Sequence, residues 1–196
     1  NAYLHLTNAT TGTTTGDGLS VLVTNSTGQA IINQREAQPL AFYTSGSERA
    51  RILAGGGLTF NGDTATANAL NDYEEGTWTP TFEAGSASVA NALYIKIGRF
   101  VQVAAVISAF TDRTSSANLD ISGLPYASAS DNKTSQSIMC RFINAGGDSV
   151  AAYIANSVSK IQFYGISQGA GYAKVNHNEL NNSTANLFIT CTYRAA

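Results

Sequence analysis

The chain has 196 residues, a formal net charge of −2 and only 12% charged residues, against about 25% in an average globular domain. That balance excludes the basic footprint of a nucleic-acid binder, and no segment approaches the ~20 apolar residues of a membrane-spanning helix. Hydrophobic residues reach 43%, enough for a core, while the wealth of Gly, Thr, Ser, Asn and Ala points to short strands and many turns in one or two domains.

In residues 1–70, short apolar pieces alternate with turn signals. Leu4 and Leu6 begin a strand, and 7–18 is a polar loop. Leu19, Val21 and Val23 then alternate with Ser20, Leu22 and Thr24. After a turn at 25–28 come Ile31 and Ile32, then Leu40 and Phe42, closed by Ser45, Gly46 and Ser47. Residues 49–53 form another strand, the glycines at 55–57 turn the chain, and Leu58 and Phe60 precede Asn61-Gly62-Asp63. Gly55–57 lack the spacing and following helix of a nucleotide-binding loop. A sheet of such short strands is marginal alone. The physical remedy is to set the apolar face against copies of itself, and a three-fold β stalk of intertwined or stacked strands needs this pattern.

This segment resembles a repeat in the stems of bacteriophage tail fibres. The likeness lies in Gly16-Asp17-Gly18-Leu19, in residues 30–36 and 39–52, and in Leu58-Thr59-Phe60-Asn61-Gly62 after the glycine turn. Such stems are trimeric, so the resemblance implies a homotrimer. Glu48, Arg49 and Arg51 belong to this stem pattern and are expected to pair on the stalk surface or between chains.

Residues 64–70 are Ala-rich and suit one or two helical turns. Residues 71–80 read as the joint between stalk and head, with Tyr73 and Trp78 at the seam. Gly76 offers backbone freedom there, and Pro80 pushes Thr79 to an extended form. The adjacent Glu74 and Glu75 are read as solvated or seam-bonded, because paired-carboxylate chemistry needs groups that face each other across a substrate.

From residue 77 to 196 the strands lengthen. Residues 94–110 are the strongest apolar run, interrupted by Gly98-Arg99 as a hairpin turn or bulge. One face carries Val101, Val103, Ala105 and Ile107; the other carries Phe100, Ala104, Val106 and Phe110, which predicts cover on both sides. Residues 118–126 make a strand end and turn, 127–136 a polar loop, 137–143, 149–154 and 161–166 strands, 165–182 mostly loop, and 186–193 a closing strand. The spacing, without a helical period, predicts an antiparallel β-sandwich or jelly roll. The expected fold class is therefore all-β: a β stalk, which the resemblance implies is trimeric, followed by a sandwich head.

The head, too, resembles a known element, the C-terminal heads of phage tail-fibre proteins. The carriers are residues 72–80, Tyr94-Ile95-Lys96-Ile97-Gly98-Arg99, Ser122-Gly123-Leu124-Pro125-Tyr126 and Thr192-Tyr193-Arg194-Ala195, in that order. The resemblance implies a trimeric tip that recognises a host. Loops differ within that family, so no ligand follows from it.

No catalytic constellation is visible. His5 and His177, the only histidines, lie at opposite ends of the chain, so neither a His-based metal site nor a cofactor is expected. Cys140 and Cys191 are read as buried thiols, and the sequons at Asn8, Asn25, Asn132, Asn181 and Asn182 as chance in so Asn-rich a chain. The start at Asn1 in mid-pattern suggests a piece of something longer. The best binding candidate is 164–182, which gathers Tyr164, Gln168, Tyr172, Lys174, His177, Asn178 and Glu179 among glycines, aromatic faces beside hydrogen-bonding groups on loops. A second is 111–116, with Asp112 and Arg113. These readings lead to a non-enzymatic virion fibre tip, acting outside the cell and joined to upstream virion proteins, that binds a host-surface glycan or outer-membrane protein. The rivals are a polysaccharide depolymerase tip and a capsid or tail fibre with a purely structural role.

Overall fold

The computed structural model describes residues 2–196 and contains only antiparallel sheets and two short 3₁₀ turns. The chain divides into two compact units, Asn1–Asn71 and Asp72–Ala196.

In the first unit, β1 (Ala2–Leu6), β2 (Leu19–Val23) and β3 (Ala30–Gln34) form one three-stranded meander. A second follows from β4 (Leu40–Thr44), β5 (Ser47–Ile52) and β6 (Leu58–Phe60). Register sets Leu4, Val21 and Ile32 side by side, and likewise Phe42, Ala50 and Phe60. The apolar alternation thus yields apolar sheet faces, but nothing in this unit covers them: Leu4 is 59% exposed, Ile32 57% and Phe60 53%. Among the described residues, the only fully buried side chains of this unit are polar, Ser20 and Thr59.

Polar fastenings hold its turns instead. The Asp17 carboxylate accepts from the Thr14 amide at 2.7 Å, which lowers its pKa. Glu48 takes both nitrogens of an Arg51 fork and a hydroxyl from Tyr43 at 3.2 Å, so its carboxyl too is held below the ordinary value. The stem-pattern ion pair therefore closes within one chain. The Ala-rich segment makes a single 3₁₀ turn, Thr66–Asn68, and Leu70 bridges back to Leu58.

The second unit opens with β7 (Tyr73–Thr77), β8 (Thr81–Phe82), β9 (Ser88–Ile97) and β10 (Phe100–Ser108). It continues with β11 (Ile121–Ser122), β12 (Thr134–Ser137), β13 (Met139–Arg141), β14 (Ser149–Ile154), β15 (Lys160–Ile166), β16 (Ala173–Lys174) and β17 (Asn186–Arg194). One sheet has the order β13-β17-β10-β9-β7; the other runs β12-β14-β15-β11-β8, with β16 also paired to β15. Alternate residues of both sheets meet in one core. Val101, Val103, Ala105 and Ile107 from β10, with Leu187, Ile189, Cys191 and Tyr193 from β17, join Ala152, Ile154, Ile161 and Phe163 of the other sheet.

Several expectations change here. The run 94–110 is a hairpin around Gly98, φ 58°, at the first position of a two-residue turn, a place glycine takes at no steric cost. Its first strand begins earlier, at Ser88, with a register shift near Asn91, φ 53°. Phe110 does not share a face with Phe100: Ala109, φ 52°, turns the chain inward and Phe110 is buried in the core. Phe100 itself is 55% exposed. With Tyr73, Leu93, Ile95, Ile97, Phe188 and Met139 it forms an open apolar face on the five-stranded sheet. The polar stretch 127–136 contains the start of β12, and the strand expected at 137–143 shrinks to β13.

The four motifs behind the resemblance to fibre heads converge on one cluster. Tyr193 donates its hydroxyl to the Tyr126 carbonyl at 2.9 Å. The Tyr126 ring meets Tyr94 edge-on at 5.8 Å, and the Lys96 ammonium lies 5.1 Å from its centre. Lys96 pairs with Asp72 and lies 3.8 Å from Glu74. Glu74 accepts the Tyr126 hydroxyl, which raises that phenol far above its usual pKa. Gly76 has an ordinary backbone; its value is space, because a Cβ there would sit 2.9 Å from the Tyr94 ring. Gly123 does need its backbone freedom: φ is +93°, and an added Cβ would run into the Thr79 carbonyl oxygen. Trp78 is part of the core of the second unit, donating from Nε1 to the Ala104 carbonyl at 3.0 Å.

Candidate functional site: an aromatic slot on the six-stranded sheet

Strand parity builds the site. Tyr153 on β14 pairs across to Gln162 on β15, and Ala151 pairs to Tyr164. Residues two apart on a strand point to the same face, so Tyr153 and Tyr164 are diagonal neighbours on the face turned away from the core. Their rings lie 6.0 Å apart at 78°. The loop after β15 then brings Tyr172 back, 5.1 Å from Tyr164 at 86°. Edge-to-face contact of this kind follows from the ring quadrupole, negative on the face and positive at the edge. The three tyrosines, with Ser135, Ala151 and Ile166, line a slot of about 230 Å³. Tyr172 stays 74% exposed.

Charges border the slot. Lys174 pairs with Tyr164 across the sheet, and its ammonium is 5.7 Å from the Tyr164 ring centre. The Asp120 side chain, only 1% exposed, accepts from Lys160 at 2.7 Å and from Lys174 at 3.1 Å. Glu83 lies 3.4 Å from Lys160. The hydrogen bond from Lys160 to Asp120 raises the lysine's pKa. Burial, then the charge of Asp120, raises that of the Tyr164 phenol. Two ammonium groups thus meet two carboxylates, and the phenol stays neutral at physiological pH.

The structure brings Tyr164, Tyr172 and Lys174 together and separates the other expected members. Gln168 is exposed on the loop and does not line the slot; its backbone N–H donates to Asp148 at 3.1 Å. His177 is fully buried and packs edge-on to Phe110 at 6.3 Å. It is pulled in by the 3₁₀ turn His177–Glu179, where the Asn176 amide donates to Glu179 at 2.6 Å. Asn178 is exposed beside Asp112 and Arg113 in a different, open polar depression. Asp112 there fastens a turn, accepting from Thr114 and Ser115 amides at 2.9 and 3.0 Å, which lowers its pKa. Tyr73 is exposed on β7, its hydroxyl donating to Glu75 at 3.1 Å. The sequence reading missed Tyr153, Asp120 and Lys160. Parity along Ser149–Ile154, where Tyr153 and Ala151 alternate with the core residues Ala152 and Ile154, was the signal for the first.

Among the described residues no group of three or more His, Cys, Asp or Glu is placed to hold a metal ion. Both cysteines are free; Cys191 is buried, which pushes its thiol up to about 12, and Cys140 is half-buried. Compared with known proteins, the chain matches no family model, no curated protein and no solved structure.

Proposed function

We propose that the chain is the distal part of a bacteriophage fibre that attaches the virion to a host-surface glycan or outer-membrane protein. It acts as a homotrimer without enzymatic activity, with a β stalk at 1–70 and a jelly-roll-like β-sandwich head at 77–196. The observation that carries this reading is the first unit: its strands expose Leu4, Val21, Ile32, Phe42, Ile52 and Phe60, and among its described residues no apolar side chain is fully buried. Exposed apolar faces of this regularity mark surfaces that other chains cover, and copies of the same stripe are the simplest cover. The open face of the five-stranded sheet extends the same argument to the second unit. A trimer presents each binding site three times, so effective concentration lets shallow sites hold a surface firmly.

The test is retention of the fluorescently labelled protein on intact bacteria from a panel of strains. Retention on some strains and not others, abolished by periodate or by protease treatment of the cells, is the expected result. Absence of retention on every strain contradicts attachment. Shortened surface polysaccharide after incubation contradicts the non-enzymatic reading and favours a depolymerase.

A further inference from the structure

We infer that the slot formed by Tyr153, Tyr164 and Tyr172 is a binding subsite for an uncharged pyranose, a hexose or N-acetylhexosamine unit. This deepens the attachment reading and rests on it.

Shape comes first. The slot's volume of about 230 Å³ suits one sugar ring. Its edge-to-face rings leave aromatic face open, and Tyr172 is 74% exposed beside two other tyrosines. Exposed aromatics gathered in this way call for a ligand with an apolar face. The C–H face of a pyranose carries slight positive charge and complements the negative ring faces. Ala151 and Ile166 add apolar lining that suits an acetamido methyl. Hydroxyls find partners in Ser135 and the tyrosine hydroxyls.

Charge then narrows the class. Both nearby ammonium groups are held by Asp120, and Lys160 also by Glu83. Neither of these ammonium groups is left free for the carboxylate of an acidic sugar. A quaternary ammonium ion is the other common guest of an aromatic cage. Here the Lys174 ammonium already takes that place over the Tyr164 ring.

The experiment is saturation-transfer NMR and titration on the full chain. The probes are methyl glucoside, methyl galactoside and N-acetylglucosamine, against glucuronate, N-acetylneuraminate and choline chloride. At least one neutral sugar binds in the millimolar range, and Tyr172→Ala weakens it by about tenfold or more. Because Tyr172 is exposed, that variant keeps its thermal midpoint; Lys174→Gln changes the neutral-sugar affinity by no more than about twofold. Preference for glucuronate, N-acetylneuraminate or choline overturns the ligand class. Binding that Tyr172→Ala leaves unchanged, or no binding of any probe, overturns the subsite. If labelled Tyr172→Ala protein is still retained on the same bacteria as the parent, attachment stands and this inference falls; if the parent is not retained either, attachment falls.

Discussion

The two units of this chain use the same alternation of apolar and polar residues to opposite ends. In the second unit, the inward residues of two sheets meet each other: Val101, Ile107, Ile161, Phe163 and Leu187 are completely shielded. In the first unit the same alternation produces Leu4, Val21 and Ile32 on a face that stays open. Strand pattern alone therefore does not make a core; a sheet needs a second layer. One unit supplies that layer from its own sequence, and the other leaves its sheet faces open. Polar fastening divides them less: turns of the first unit rest on Asp17, Glu48 and Asp63, Asp112 fastens one in the second, and the second adds a polar cluster around Tyr126.

The comparison can be broken at several strengths. The largest effect is expected from Phe163→Ala, which opens a cavity between the two sheets. It should destabilise the second unit by about 3–5 kcal/mol, read from denaturant midpoints, and a change near zero would mean that the core is not the one described. Next comes Gly123→Ala, which forces a side chain onto a left-handed backbone against the Thr79 carbonyl. A loss of roughly 1–3 kcal/mol follows from backbone strain of this kind, whereas Gly76→Ala tests space beside Tyr94 and not backbone.

Acid should act more gently, on turn carboxylates of the first unit and on Asp112 of the second. Glu48 has its folded pKa below its ordinary 4.5, chiefly through the Arg51 hydrogen bond. Asp17 and Asp63 lie below 3.8, chiefly through the amides of Thr14 and Ala65. For a lowered carboxylate the stabilisation is fully present above the unfolded value and is lost as pH falls through the folded one. Protection factors of the turn amides in the first unit, taken against the intrinsic exchange rate at each pH, should therefore fall below about pH 4.5 and stay constant between pH 6 and 8. The smallest effect is expected at Arg194 and Asp131, an exposed ion pair. Asp131→Asn should leave the thermal midpoint of the second unit where it was, since such pairs add little.

Most strands were legible because apolar alternation and Gly or Asn turns mark them directly, as in Leu19–Val23 and in Ser149–Ile154. Strand β7 was not, and read as a joint, because its inward positions are Glu74 and Gly76. The first reaches Lys96 and Tyr126, and the second makes room for Tyr94. Neither residue looks like core until its partners are in place. The site was half legible. Tyr164, Tyr172 and Lys174 share one stretch of sequence and do meet, but their companions Tyr153 and Asp120 come from elsewhere in the sheet. His177 looked like a ligand group because it sits among loop residues, yet the short turn around it drives the ring beneath Phe110. The four motifs on which the resemblance was read pack on one another around Tyr126, and none of their residues lines the slot.

The central claim is that the first unit is stable only when other copies of the chain cover its open stripes. Light scattering after size exclusion at micromolar concentration measures this directly. The account predicts three times the 20.5 kDa of a single chain. A particle of 20.5 kDa whose first unit still unfolds cooperatively would contradict it.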